Sequence, residues 1–434
     1  MSSMPGAPGP YRKLDDLMDM PRQPGMSHMR RQMDRAHREA PPQASFPNRL
    51  SAFLRHQVFG WIGAYLRNFI RRKHKFLTYE STSQTGIYPL AAGEEVRVSM
   101  CGDWGTGTRE AFEVAERMKE SDPHYTIHLG DIYYVGGAEE VSENCLGVSD
   151  EKSGAPGLVW PIGSTGSFAL NANHEMYANG DAYFDLFLPK LGVRRQPGAP
   201  PSGQAASYFC LQNEWWSVIG LDTGYNSVGW AIIEYIVRPN ARLEKALLEW
   251  LKETVQPKTN GRALVLLSHH QYYSAFESQY PKAADQLADM IDRPVLWFWG
   301  HEHRMAAYGA HRVDGGITAF GRCLGHGGMP VDIRDPIVHP EFPPAIYDDR
   351  RYPDLFSEPV GYNGFANLRF NGNRLAVEYK DLRGNVILSE EWESSEGRLH
   401  GIDIRQGIAD PDIKVGDLNA AIGRPAALGA RSGQ

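Results

Sequence analysis

Five short apolar runs set the terms on which this chain can fold. "VRVSM" (96–100), "YTIHL" (125–129), "WWSVIGL" (215–221), "ALVLLS" (263–268) and "VLWFWG" (295–300) are too continuous to leave one face in water. Each therefore reads as a strand covered on both faces. Between them, "TREAFEVAERMKE" (108–120) and "NARLEKALLEWLKETV" (240–255) carry a helical period. Strands that alternate with helices predict an α/β layered fold. After residue 360, "GFANLRFNGNRLAVEYKDLRGNVILSEEW" alternates polar and apolar residues around Asn-Gly and Arg-Gly turns, as an antiparallel meander does.

The ends of the chain read differently. Residues 1–45 are rich in Pro, Gly, Met, Arg and Gln and predict a disordered tail. Residues 46–90 predict an amphipathic helix and a linker: Leu50, Leu54, Val58, Trp61, Tyr65 and Phe69 recur at helical spacing and lead into the basic run "RRKHK". Arg67 interrupts the apolar stretch, which falls short of the roughly 20 residues a bilayer span needs. The helix over 48–76 then has two readings, packing on the body of the protein or peripheral contact with a membrane surface. A catalytic domain is expected over 91–400, closed by the meander at 360–395, with a polar tail over 401–434.

Charge and cysteine usage exclude several classes. A formal charge of −7 is spread through the chain, and the segments expected near a cleft carry no basic stripe with interleaved aromatics, so no nucleic-acid partner is expected. The four cysteines, Cys101, Cys145, Cys210 and Cys323, form no Cys-X-X-Cys pair and predict reduced thiols rather than a disulfide frame or a thiolate zinc site. The first residues show no apolar core behind a basic start, so a secretory signal is not expected. A cytoplasmic location follows as an expectation, with membrane association if the helix lies on lipid.

Four of the five strands run into a residue able to bind a metal, with glycine or serine beside it. "MCGDWG" gives Asp103, "HLGDIYY" gives Asp131 and Tyr134, "LLSHHQ" gives His269 or His270, and "FWGHEHR" gives His301 and His303. The loop "ALNANHEM" adds Asn173 and His174. An aspartate after a strand is often only a turn or cap residue. The set as a whole suits two cations about 3.5 to 4 Å apart, which a shared carboxylate can hold together. Oxygen donors and imidazoles suit iron, manganese and zinc alike.

The ordered series "GDWG", "GDIYY", "NANHE", "LLSHH" and "GHEH" resembles the five-block signature of calcineurin-like metallophosphoesterases, and the Asp-X-X-Tyr block resembles the purple acid phosphatase branch. The resemblance spans residues 96 to 305. It implies a four-layer α/β sandwich, two mixed β-sheets flanked by helices, with a dinuclear site at the strand ends. By position it implies Asp103, Tyr134 and His303 on one metal, Asn173, His269 and His301 on the other, and Asp131 as the bridge. It also implies that His174 contacts phosphate and protonates the leaving oxygen. Many metallophosphoesterases have a histidine where this chain has Gly105, and Tyr134 is expected to supply the missing ligand as a hard phenolate. That favours Fe(III) beside it, with Fe(II), Zn(II) or Mn(II) in the other site.

The function implied is hydrolysis of a phosphorylated small molecule, with a metal-bridging hydroxide attacking phosphorus and His174 assisting the leaving group. A phosphomonoesterase is the first expectation. A phosphodiesterase or a pyrophosphohydrolase on nucleotides is the alternative, and a non-catalytic membrane-associated scaffold is the rival from another class. His270 and His326, the latter in "GRCLGHGG" (321–328) read as a glycine turn, are candidate substrate contacts. Trp160, Tyr177, Tyr225, Tyr272 and Tyr273 are candidates for the cleft walls.

Overall fold

Adjacent residues of the most apolar run belong to two different cores. Val265 and Leu267 sit in the space between two sheets, whereas Leu264 and Leu266 face helices on the outside. A strand with no watery face needs no polar alternation, which is why Ala263–Ser268 is apolar up to its last residue. The computed structural model describes residues 72–90, 95–149, 155–196, 198–228, 240–353 and 359–424. The expected tail over 1–45, most of the expected helix over 48–76, and residues 425–434 lie outside the described residues.

Strands are numbered in chain order. The first sheet has nine strands in the spatial order β1 (Ile87–Pro89), β6 (Phe209–Gln212), β7 (Trp216–Gly220), β8 (Ala263–Ser268), β9 (Val295–Trp299), β11 (Ala319–Leu324), β10 (Met305–His311), β12 (Pro344–Asp348) and β19 (Ile413–Val415). The second has eight, in the order β18 (Arg398–Gln406), β17 (Val386–Ser395), β16 (Arg374–Asp381), β15 (Gly364–Asn371), β2 (Val96–Cys101), β3 (Tyr125–His128), β4 (Gly166–Ala169) and β5 (Gly192–Val193). A two-stranded ribbon pairs β13 (Arg351–Pro353) with β14 (Pro359–Gly361). Both large sheets are mixed. The strands that carry the expected site run parallel within each, β2 with β3 and β3 with β4 in one, β8 with β9 in the other.

Helices cover the outer faces. Helix α1 (Arg109–Glu120) starts at Thr108, whose hydroxyl accepts from the Ala111 N–H at 3.1 Å, and it buries Ala111, Val114, Ala115 and Met118 on one side. With α2 (Ala138–Cys145) it packs on the eight-stranded sheet. Helices α4 (Lys245–Trp250) and α5 (Lys282–Leu287) cover the nine-stranded sheet. The short α3 (Asn173–Met176) follows β4, and α6 (Leu418–Ala421) closes the described chain. The result is the expected four-layer sandwich of two mixed sheets between helices. The sheets are also joined by charge: the guanidinium of Arg322 in β11 meets Glu390 of β17 at 2.6 Å, with both side chains fully buried.

Three expectations need correction. The polar tail expected from residue 401 is, up to residue 424, part of the fold: β18 runs to Gln406, β19 adds an edge strand, and Ala421 and Ile422 are buried. An edge strand exposes much of its surface, so its composition resembles that of a tail. Residues 321–324 of the expected glycine turn are strand β11, with the turn beginning only at Gly325. The described basic end of the expected helix is not helical. Residues 72–78 run without regular structure across the body, where the Lys73 ammonium lies 3.5 Å over the Tyr225 ring, His74 stacks on Phe184 at 4.7 Å and Phe76 stacks on Tyr208 at 5.7 Å. Aromatic packing holds it extended.

Candidate metal centre

The functional side chains gather where the two sheets meet end to end. Asp103 follows β2, Asp131 follows β3, Asn173 and His174 lie in α3 after β4, His269 follows β8, and His301 and His303 follow β9. Such a seam requires close backbone approach. A Cβ on Gly102 would stand 2.9 Å from the Gly300 Cα, and one on Gly300 would stand 2.8 Å from Asp103 Oδ2. Glycine at both positions is what lets the strand ends touch. The junction is then tied by the His301 N–H to Asp103 Oδ2 (2.8 Å), the Asp103 N–H to the Gly130 carbonyl (2.9 Å) and the Gly300 N–H to the His269 carbonyl (3.0 Å). Asp103, Asp131 and His301 all take left-handed backbone conformations, with φ of +59°, +71° and +65°. Three strained residues at one point are the mark of a functional site rather than of a folding need.

Two donor clusters share one atom. Asp131 Oδ2 lies 3.3 Å from His269 Nε2, and His269 Nε2 lies 3.1 Å from both Asn173 Oδ1 and His301 Nδ1. The same Asp131 Oδ2 lies 2.9 Å from the Tyr133 hydroxyl, which is 2.6 Å from Asp103 Oδ1 and 2.9 Å from His303 Nε2. Asp103, Asp131 and His269 form one metal-capable group, with donor atoms within 4.8 Å of one another, and His269, His270 and His301 form a second. Hydrogen bonds behind the donors aim them. The His269 Nδ1–H donates to the Leu129 carbonyl at 3.0 Å, leaving Nε2 for the site, and the Asn173 amide donates to Tyr177 at 3.2 Å, leaving Oδ1.

The electrostatics match cation binding. Burial alone would raise the Asp131 carboxyl, but the imidazoles of His174 and His269 outweigh it and hold the group well below the usual carboxylate range. Burial would lower His269, and Asp131 more than reverses this, pushing it up to about 9. His270 and His301 are held well below the ordinary imidazole value, first by burial and then by neighbouring imidazoles, so they remain neutral donors. Two fully buried carboxylates faced by imidazoles and an amide oxygen fit two hard or borderline cations.

The structure therefore brings together Asp103, Asp131, Asn173, His174, His269, His270, His301 and His303. His174 donates from Nδ1 to the Tyr134 carbonyl, and its backbone N–H reaches Asp131 Oδ1 at 3.2 Å. Its Nε2 stands 3.8 Å from Asp131 Oδ2. His270 bonds Thr223 Oγ1 through Nδ1 at 3.1 Å, and its ring lies 4.8 Å from that of His301.

Two further expected site residues have other neighbours. The Tyr134 ring packs with Met329 and edge-on to Tyr133, and the phenol that meets the donors is that of Tyr133. His326 is buried with Nε2 against Gly364 of β15, and burial lowers it to about 3, which makes it a neutral core histidine. Of the expected wall aromatics, Tyr177 stands beside His174 at 5.0 Å, while Tyr272 and Tyr273 are core residues whose hydroxyls bond backbone carbonyls.

Sequence reasoning missed Tyr133, Thr223, Tyr280 and Asp332. The hydroxyl of Tyr280 lies 3.3 Å from His301 Nε2. Asp332 gives its N–H to the His303 carbonyl at 2.9 Å and places Oδ2 4.0 Å from His303 Nδ1. None of these has a local signal, because each reaches the site from a loop distant in sequence or, for Tyr133, depends on how one loop is held.

A sandwich of this kind with carboxylates and imidazoles converging at its strand ends defines a metallophosphoesterase. Residues 96–305 match the model of the calcineurin-like phosphoesterase family, and that part of the chain is a metallophosphoesterase region. No curated protein matches it in sequence. Among solved structures it is similar to GAP50, the anchor in the inner membrane complex of Plasmodium, at 15% identity over 76% of this chain and 95% of that one, with a TM-score of 0.43. It is similar to PhoD at 13% identity over 77% of this chain and 76% of that one, with a TM-score of 0.45. A dimetal phosphatase from Danio rerio shares 11% identity over 69% of this chain and 99% of its own, with a TM-score of 0.39. These are likenesses of fold, and nothing about substrate follows from them.

Proposed function

We propose that this chain is a phosphomonoesterase of the purple acid phosphatase-like branch that works with two metal ions. The observation that carries the reading is the shared Asp131 Oδ2, which belongs both to the cluster of Asp103 and His303 and to that of Asn173, His269 and His301. When bound, a pair of cations supplies an activated water and draws charge from the phosphoryl oxygens. The residues of the chain do the rest. His174 is held by its own N–H on Asp131 and by Nδ1 on the Tyr134 carbonyl, so its Nε2 faces the place where a leaving oxygen would stand and can deliver a proton there. Tyr177 packs against that imidazole and limits its movement. His270 Nε2, which is buried and has no hydrogen-bond partner among the described residues, is available to a phosphoryl oxygen. Phenolate and carboxylate donors favour Fe(III) in the Asp103 site, with Fe(II), Zn(II) or Mn(II) in the other.

The test is hydrolysis of para-nitrophenyl phosphate against bis(para-nitrophenyl) phosphate by protein loaded with iron, manganese or zinc, with Asp131→Asn as the blank. A faster monoester rate that vanishes in the variant is expected. A faster diester rate would move the assignment to a phosphodiesterase, and no rate on either ester with two metals bound would remove the monoesterase reading.

A further inference from the structure

We infer that residues 72–78 are a positioning clamp for the substrate side of the site, holding together the loop that sets His270 and the segment that carries His174. The inference rests on the reading above, in which those two histidines face the phosphoryl group and the leaving oxygen. The clamp precedes residue 96, so it lies outside the region that matches the family. Its root is fixed. Tyr79, the next residue along the chain, is buried, donates its hydroxyl to the Tyr208 carbonyl at 2.5 Å and meets the Tyr208 ring edge-on at 5.2 Å. From that root the clamp reaches two loops, one after a strand of each sheet.

The first loop follows β7 and supports His270. Thr223 Oγ1 accepts the His270 N–H at 3.1 Å and lies 3.1 Å from His270 Nδ1, so the place of that hydroxyl sets both the backbone and the ring of the histidine. Asp222 shapes the loop by accepting the Tyr225 N–H on Oδ1 at 2.7 Å, a turn that aspartate favours. Tyr225 is where the clamp takes hold. Its hydroxyl donates to the His74 carbonyl at 2.7 Å, the Lys73 ammonium lies 3.5 Å from its ring centre, and Phe76 meets its ring edge-on at 4.9 Å.

The second segment follows β4. It carries His174 and Tyr177, whose rings meet at 5.0 Å, and the Tyr177 N–H returns to the Asn173 carbonyl at 3.0 Å. The clamp holds the far end of this segment. The Asn179 carbonyl accepts the His74 N–H at 2.9 Å, and the His74 ring stacks at 4.7 Å on Phe184, which is buried. The two loops also touch each other: a Cβ on Gly224 would stand 2.4 Å from the Ala172 nitrogen, and the Asn171 amide donates to Asp222 Oδ2 at 3.2 Å. His74 bonds one loop through its carbonyl and the other through its N–H. A single residue of the clamp thus spans the junction, and a change there reaches His270 and His174 together.

The experiment uses the full chain and has two readouts. Backbone hydrogen exchange in metal-free protein needs no substrate. Phe76→Ala is expected to speed exchange about tenfold over both 173–184 and 221–228, while β8 and β15 exchange as in the parent. Unchanged exchange in either segment overturns the clamp, and so does equal acceleration everywhere, which is a loss of global stability alone. In metal-loaded protein the same variant is expected to lower kcat/KM on an alkyl phosphate about tenfold at unchanged metal content. Local acceleration with unchanged kinetic constants overturns the positioning role. Should Phe76→Ala fail to fold, Tyr225→Phe, which loses only the hydroxyl bond to His74, decides by the same two readouts. A metal-loaded parent that hydrolyses no ester removes the phosphatase reading and the positioning role built on it, whereas the exchange result still decides whether residues 72–78 hold the two loops together.

Discussion

His269 Nε2 lies 3.3 Å from Asp131 Oδ2, and neither side chain has more than 1% of its surface exposed. One residue ends a strand of the nine-stranded sheet, the other follows a strand of the eight-stranded sheet, so the contact joins the two halves of the sandwich at the proposed bridge. In the metal-free protein it is an ion pair, because Asp131 outweighs burial and pushes His269 up to about 9. A metal must take the same Nε2 atom.

Metal uptake should therefore release a proton. At pH 7, below the folded pKa of about 9, His269 is protonated in the metal-free protein, and coordination strips that proton. The sign is fixed: affinity rises with pH up to about 9 and levels off above it, by about tenfold per pH unit for this one proton. Calorimetric titration of zinc into metal-free protein, repeated in buffers of different ionisation enthalpy, reads the protons directly. No release at pH 7 would sink the assignment of His269 as a ligand that starts out protonated.

Replacing His174 should separate chemistry from metal binding. His174 touches Asp131 only through its N–H and at 3.8 Å through Nε2, outside coordinating distance of the donors. His174→Ala is expected to keep both metals and lose about 10²- to 10⁴-fold in kcat on an alkyl phosphate, with a much smaller loss on para-nitrophenyl phosphate, whose leaving group needs little protonation. Equal losses on the two esters, or loss of metal, would remove the acid role.

Much of this was legible in sequence, for a definite reason. Strand runs such as Ala263–Ser268 declare themselves because both faces are buried, and the candidate donors follow strand ends, so Asp103, Asp131, His301 and His303 stand out by position. The choice of His269 over His270 rests on the family resemblance. The placement of the Tyr133 hydroxyl 2.6 Å from Asp103 Oδ1 could not be read from the sequence, because it depends on loop contacts with Gly105 and Asn144. Nor could Asp332, which is near His303 only after folding. His326 misled for the opposite reason: its glycine neighbours suggested a loop lining the cleft, whereas its ring is buried.

That core histidine carries a pH prediction. Burial lowers both His128 and His326 to about 3, so they stay neutral in the fold but take up protons in the unfolded chain below about pH 6.5. The unfolded state binds more protons across that window. Their contribution is thus fully present above pH 6.5 and is lost as pH falls toward 3. His326→Gln in metal-free protein should flatten the stability slope between pH 6 and pH 4 by about 1.4 kcal/mol per pH unit, read from denaturant melts at each pH. An unchanged slope would show that His326 is already protonated in the fold.

The last prediction concerns the seam between the sheets away from the metals. Arg322 spans it to Glu390 at 2.6 Å, donates to the Tyr308 and Ala421 carbonyls, and Tyr379 donates to the same carboxylate. Attraction to Glu390 outweighs burial and keeps the guanidinium firmly charged. Removing the carboxylate charge leaves a buried cation without compensation, which is more damaging than removing both partners together. Glu390→Gln is expected to lose about 3 to 5 kcal/mol of stability, while Arg322→Met with Glu390→Leu recovers a good part of that loss. Because the pair stands apart from the donors, zinc affinity per folded molecule should not move. A loss below about 1 kcal/mol in Glu390→Gln would show that the pair does not hold the sheets together.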